Sequence, residues 1–149
     1  MKIFDCTTFY NEKLLMEARF NILDQYVHKF IVIESVYSHS GNKKKLNFDI
    51  NDYPDFKNKI EYIVIDHEPE DLIKDKHLLK QSIYKRFNSV KRIEQSYNHM
   101  HLGIKDASEE DLIMISDNDE IPNLDSIEFK NSKHNFYIFE QLFFYYRFN

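Results

Sequence analysis

Leu112-Ile113-Met114-Ile115-Ser116-Asp117-Asn118-Asp119-Glu120-Ile121-Pro122 is the stretch on which the reading of this chain turns. Four consecutive large apolar residues have the pattern of a strand buried on both faces, as in a parallel sheet. The polar residues after them then emerge past the carboxyl end of that strand, where an open α/β sheet forms its ligand crevice. Asp117 and Asp119, with Glu120 beside them, crowd negative charge onto a short turn that Pro122 stiffens. Such crowding is unfavourable unless a cation or strong hydrogen-bond donors offset it. Carboxylate oxygens are hard ligands that suit Mg²⁺ or Mn²⁺, ions that commonly share their coordination with substrate phosphates. Strand followed by D-x-D therefore points to a metal–diphosphate site, with a sugar-nucleotide transferase as the first candidate.

Working outward, strand and helix patterns alternate, which predicts an α/β fold with a mostly parallel sheet flanked by helices. Strands are expected at Ile3 to Cys6, Phe30 to Ile33, Ile60 to Ile65 and Leu112 to Ile115. A helix from Asn11, its cap, to about Tyr26 follows from Leu14, Ala18, Ile22 and Tyr26 recurring every fourth residue, with Leu15 and Leu23 beside them. A longer one is expected from about Leu79 to Leu102, with Ile83, Phe87, Val90, Ile93, Tyr97 and Met100 along one face. Gly103 stands where a left-handed cap would end it, and Lys80, Lys85, Arg86, Lys91 and Arg92 form its exposed basic face. The tail, Asn135 to Phe148, is aromatic and β-prone and predicts one or two further strands. An end beside such a strand leads us to expect further carboxy-terminal chain; either that or a second copy would cover the aromatic residues.

The 149 residues fit one domain, and an apolar content of 42% is enough for a real core. With only 2 glycines, neither G-x-G-x-x-G nor a Walker A loop can be written, so nucleotide binding by those routes is excluded. Twenty basic against 25 acidic residues give a net charge of −5 and no general attraction to nucleic acid. Cys6 is the single cysteine, which rules out an intrachain disulfide and a cysteine zinc site. No apolar run is long enough for a signal peptide or membrane anchor, and a cytoplasmic location is the default expectation. His99 and His101 are two apart, so on a helix they diverge and cannot share a metal.

Several segments together resemble the family 17 glycosyltransferases, the family of the β-1,4-mannosyl-glycoprotein 4-β-N-acetylglucosaminyltransferases. They are Phe4-Asp5-Cys6-Thr7-Thr8-Phe9-Tyr10-Asn11-Glu12, Phe30-Ile31-Val32-Ile33-Glu34-Ser35, Ser38-His39-Ser40-Gly41 with Lys45-Leu46 and Phe48, and Ile113 to Pro122. The aromatic Gln141-Leu142-Phe143-Phe144-Tyr145-Tyr146 also resembles a strand that the family places after D-x-D. D-x-D alone is a weak signal, whereas the ordered set is much more specific. Two departures stand out. Where the family usually has Gln-Arg-Asn in the long helix, this chain reads Glu94-Gln95-Ser96-Tyr97-Asn98-His99, without that arginine. The family's catalytic region also continues past the position of Asn149.

The resemblance implies the nucleotide-sugar-binding part of a GT-A-like, Rossmann-like domain spanning residues 1–149. It implies a UDP-sugar donor (by analogy UDP-N-acetylglucosamine), a glycan acceptor, Mn²⁺ or Mg²⁺, and inversion at the anomeric centre. Asp119 is then the expected direct metal ligand, with Asp117 on metal-bound water or the ribose. Glu120 reaches the donor sugar or acts as base; alternatively it orients the turn through backbone N–H groups. Asn11 and Glu12 either meet base or ribose or cap the first helix. Glu34, leaving a buried strand at the crevice edge, either contacts ribose or base or sits in a structural ion pair. His39, Lys43 and Lys45 are placed to face the diphosphate, unless the lysine run is a solvated loop. Two competing readings remain. A haloacid-dehalogenase-type phosphohydrolase would need its D-x-D near the amino terminus, whereas 32 residues (149 minus 117) follow Asp117. A non-catalytic nucleotide-sugar-binding fragment is the other.

Overall fold

The computed structural model describes residues 1–74, 81–125, 127, 129 and 134–141. Four parallel strands form one sheet: β1 (Ile3–Thr8), β2 (Lys29–Ser35), β3 (Ile60–Ile65) and β4 (Leu112–Ile115). Helix α1 (Lys13–Leu23) joins β1 to β2, and α2 (Gln81–His99) lies between β3 and β4, continuing into a 3₁₀ turn at Met100–Leu102. The spatial order is β3-β2-β1-β4. In register, Cys6 of β1 lies between Ile31 of β2 and Ile115 of β4. This is an α/β, Rossmann-like arrangement.

Strand alternation sends successive side chains to opposite faces, and each face has its own helix. Ile3, Phe30, Val32 and Met114 pack with Met16, Phe20 and Leu23 of α1. Phe4, Cys6, Ile31 and Ile33 pack on the other face with Met100 and Tyr97. The central strands are thus covered on both sides, which is why β2 reads as an apolar run, while β1 carries the buried Asp5 and Thr7 within it. Burial, and secondarily the neighbouring Asp5 charge, push the Cys6 thiol up to about 12, so it stays a protonated, inert core residue.

Three expectations are corrected. The buried face of α1 is Met16, Arg19, Phe20 and Leu23, while Leu14 and Ile22 are 78% and 49% exposed. Of the expected apolar set Leu23 does lie on the buried face; the four-residue stripe through Leu14 and Ile22 missed it because a fully buried arginine occupies the true one. Gly103 is not a left-handed cap: its φ is −85°. It is needed because a Cβ there would lie 2.5 Å from Ile31 Cγ1, so the end of the helical segment rests directly on β2. Ile83, Phe87 and Val90 of α2 are each more than half exposed, so only the second half of that helix belongs to the core. Leu79 and the segment 142–149 lie outside the described residues, and residues 134–141 are not in a strand. Among the described residues no helix is long and apolar enough to cross a membrane.

Candidate active site

The chain moves outward from β1 to β2 to β3 and then returns to the far side of β1 as β4. The strand order therefore reverses between β1 and β4, the point at which open α/β sheets bind ligands beyond their carboxyl ends. A cleft of about 250 Å³ opens there. Its walls come from Thr8, Phe9 and Tyr10 at and after the end of β1, from Asp117, Asn118 and Asp119 after β4, from the end of β2, and from Arg92 and Ser96 of α2.

The acidic turn is held from below. Arg19, 0% exposed, forks onto Asp5 with both bonds at 2.7 Å. Its Nη1 donates to the carbonyls of Asp117 (2.9 Å), Glu120 (3.2 Å) and Asn118 (3.4 Å), and its Nη2 to Ser116 Oγ (2.6 Å). The backbone oxygens thus face inward while Asp117 and Asp119 line the cleft. From the opposite wall, Tyr97 of α2 donates its hydroxyl to Asp117 Oδ1 at 2.7 Å. Burial first, and then that bond and the charges of Asp117 and Glu120, raise the Tyr97 phenol well above its ordinary range, so it remains a donor.

Of the residues expected in the site, the structure brings Glu12, His39, Asp117 and Asp119 to the cleft. Glu120 is tied to its own turn, accepting from Asp117 N at 3.3 Å, which matches the orienting alternative. Glu12 is likewise occupied: Oε2 accepts from the backbone N–H of Tyr10 (3.1 Å) and Asn11 (2.9 Å), and Glu12, not Asn11, takes the cap position of α1. Asn11 and Lys45 do not line the cleft; Lys44 does. Glu34 also lies outside the lining and is 1% exposed, its carboxylate taken up by Lys44, Asn47 N, Phe48 N and Tyr62. It anchors the loop that follows β2, as the ion-pair alternative requires.

Two residues at the cleft escaped sequence reasoning. Arg19 carried no signal, because a lone arginine in a helix ordinarily reads as surface. Arg92 was expected on the exposed face of α2, yet its side chain is 12% exposed and lines the cleft. It pairs with Glu68 (2.6 and 3.1 Å) and donates to the carbonyl of His39 (3.2 Å). Gly41, at φ +89°, makes that approach possible: a Cβ there would stand 2.5 Å from the Arg92 guanidinium. The Ser-His-Ser-Gly segment thus has a structural reason, a tight turn closed by Gly41 N to Ser38 O at 2.8 Å that seats the loop on Arg92.

The donor set of the turn is all oxygen. Asp119 has no protein partner among the described residues, and Asn118 Oδ1, buried between the two aspartates in sequence, accepts no hydrogen bond. An unpartnered buried acceptor is rare, and this one adjoins two exposed carboxylates, a set that fits a hard divalent cation. Among the described residues no three His, Cys, Asp or Glu side chains converge to hold a metal unaided. A cation on these two carboxylates would need water and phosphate oxygens to complete its shell. No curated protein and no solved structure gives a significant match. The family model for glycosyltransferase family 17 matches residues 1–144, nearly the whole chain that forms this cleft, and the chain belongs to that family.

Proposed function

We propose that this glycosyltransferase domain binds a UDP-sugar in the switch-point cleft of a GT-A-like fold, with Asp117 and Asp119 holding a divalent cation against the diphosphate. The reading is carried by the placement of both aspartates on the cleft wall with the Asp119 carboxylate unengaged. Mn²⁺ or Mg²⁺ held there would act as a Lewis acid, stabilising the negative charge that the departing UDP accumulates. The protein's own cations stand in the same cleft. Arg92 and Lys44 reach it from α2 and the loop after β2, and His39 lies beside them. Arg92 thus offers from a different position the guanidinium that the Glu94–His99 segment lacks. Its planar fork suits phosphate oxygens, and Glu68 holds it extended until they arrive. Tyr10, half exposed at the rim with the Lys44 ammonium 5.2 Å from its ring centroid, offers a stacking surface to the base.

By family analogy the sugar is N-acetylglucosamine, the acceptor a glycan, and attack in-line with inversion. Such a reaction requires one general base at the acceptor hydroxyl. Glu12 and Glu120 are both engaged by backbone N–H groups. That observation favours, as the second reading, a nucleotide-sugar-binding part whose described residues do not include the base.

UDP and UDP-N-acetylglucosamine titrations with and without Mn²⁺, repeated on Asp119→Asn, test the proposal. Manganese-dependent UDP binding that disappears in the variant is expected. UDP affinity indifferent to both chelator and substitution would overturn it. Phosphate release from a simple phosphoester without UDP affinity would replace it with the phosphohydrolase. Binding without transfer to any glycan would favour the second reading.

A further inference from the structure

Beneath the cleft lies an ion pair that the proposed chemistry does not touch. Arg19 and Asp5 are each 0% exposed in their side chains. A buried pair of this kind is weak support for stability, because well-packed apolar residues of similar volume often serve as well or better. What an apolar pair cannot do is donate. Arg19 spends its guanidinium on Asp5, on Ser116 Oγ and on the carbonyls of Asp117, Asn118 and Glu120. No other residue type presents five N–H donors in a rigid fork that could satisfy so many acceptors at once.

We infer that Arg19 and Asp5 are positioning residues for cation binding: Arg19 fixes the backbone of the Ser116–Glu120 turn, and Asp5 neutralises Arg19 so that it does not compete with the cation. The inference rests on the metal-dependent reading above. Drawing three carbonyls toward one guanidinium fixes the peptide planes that follow Asp117, Asn118 and Glu120, and so constrains the direction in which the Asp117 and Asp119 side chains leave the backbone. A turn ordered in advance does not lose that freedom when the ion binds. Charge balance explains the partner. A bare guanidinium beside Asp117 and Asp119 would itself neutralise one of them. With Asp5 bonded at two oxygens, the pair is neutral overall, and the negative charge of the turn remains available to a cation. Ser116 completes the clamp, its hydroxyl accepting from Arg19 (2.6 Å) and donating to the Glu120 carbonyl (3.0 Å).

The test uses the whole chain and three variants. Arg19→Lys keeps the charge and one bond to Asp5 but loses the fork. Ser116→Ala removes one outer contact of the clamp and leaves the ion pair intact. Val27→Ala truncates a core side chain at the opposite end of the sheet and serves as a control for general destabilisation. Two quantities are read: amide hydrogen exchange over residues 116–120 without ligand, and Mn²⁺ affinity in the presence of UDP by electron paramagnetic resonance. Arg19→Lys is expected to speed exchange in the turn and weaken Mn²⁺ by roughly 10- to 100-fold, as loss of outer-shell partners does elsewhere. Ser116→Ala is expected to weaken it about 2- to 10-fold, the equivalent of one hydrogen bond. Val27→Ala should change neither. Wild-type exchange and Mn²⁺ affinity in Arg19→Lys would overturn the inference. Should Arg19→Lys fail to fold, unchanged values in Ser116→Ala overturn it instead. If the wild-type protein binds no Mn²⁺ with UDP, the metal-dependent reading fails, and exchange in the turn alone then supports or refutes the clamp.

Discussion

Glu34→Gln is the substitution that most sharply separates a ligand contact from a loop anchor. The side chain is 1% exposed and accepts from four donors: Lys44 Nζ, Asn47 N (2.9 Å), Phe48 N (3.0 Å) and the Tyr62 hydroxyl (2.7 Å). In the glutamine variant one oxygen remains an acceptor, and the amide NH₂ must face either the Lys44 and Asn47 pair or the Phe48 and Tyr62 pair. Either way a backbone N–H loses its acceptor, and an unmade buried hydrogen bond costs about 1–3 kcal/mol. Losing the carboxylate charge beside Lys44 adds to this, so a total of roughly 2–4 kcal/mol is expected for Glu34→Gln. Glu34→Ala, which strands every donor, should approach the ~3–5 kcal/mol typical of breaking a buried ion pair. Against a usual domain stability of about 5–15 kcal/mol, both losses are large.

Urea unfolding followed by far-ultraviolet circular dichroism measures them, since the chain has no tryptophan. A second readout comes from Tyr62. Burial, then the bond to Glu34 and its charge, raise that phenol well above its ordinary value of 10.0. A raised folded value means that the neutral phenol's contribution is complete below 10 and is lost as pH climbs through the folded value. In Glu34→Gln the phenol should ionise at lower pH, though still above 10 because burial persists. The reasoning is refuted if Glu34→Gln unfolds within about 0.5 kcal/mol of wild type, the range of an ordinary surface change, while UDP affinity collapses. The carboxylate would then be reading ligand.

Two further outcomes are expected. Gly103→Ala has an acceptable backbone at φ −85° but places its Cβ 2.5 and 2.7 Å from Ile31 Cγ1 and Cγ2, so it should cost about 1–3 kcal/mol by overpacking. The penalty should vanish in an Ile31→Ala background, and an additive double-mutant cycle by urea unfolding would contradict the close approach. Asp111 accepts from Lys2 N (2.6 Å) and Ser108 N (2.9 Å), bonds that hold its carboxyl down at about 2. Its contribution is therefore present above the ordinary 3.8 and lost as pH falls toward 2, a slope absent from Asp111→Asn; an NMR titration with its midpoint near 3.8 would contradict this.

The sheet was legible because Phe30 to Ile33 and Leu112 to Ile115 are unbroken apolar runs; β2 is central and buried on both faces as such a run predicts, whereas β4 is an edge strand among the described residues, with Ile115 56% exposed. The site's position was legible for the same reason, since a D-x-D directly after such a run must emerge at the carboxyl edge. Helix faces were not. Leu14 and Ile22 satisfy a helical period yet point to solvent, because spacing counts apolar residues without knowing which stripe the sheet presses on. Gly103 was visible as a special position, but its cause, contact with Ile31 seventy-two residues earlier (103 minus 31), is a tertiary fact. Glu34 was recognised at the crevice edge, but whether a carboxylate there turns outward or inward depends on the donors at Asn47, Phe48 and Tyr62.

Arginine placement shows why charge in a sequence misleads most at a binding site. Arg19 and Arg92 both lie on helices; Arg92 was expected on an exposed face, and nothing in the sequence marked Arg19 as buried. Each is instead drawn inward by a single carboxylate, Asp5 or Glu68, that lies on another element. In both cases the pairing leaves guanidinium N–H groups over, and these go to backbone carbonyls of loops bordering the cleft: the acidic turn for Arg19, His39 for Arg92. The two differ in what they leave exposed to a ligand. Arg19 is sealed and net neutral with its partner, and can only shape. Arg92 keeps 12% of its side chain open on the cleft wall, beside Lys44, where an arriving diphosphate could exchange places with Glu68. On the proposed reading, one fold uses the same side chain twice, once to set the direction of the acidic ligands and once to meet the charge they would help to bind.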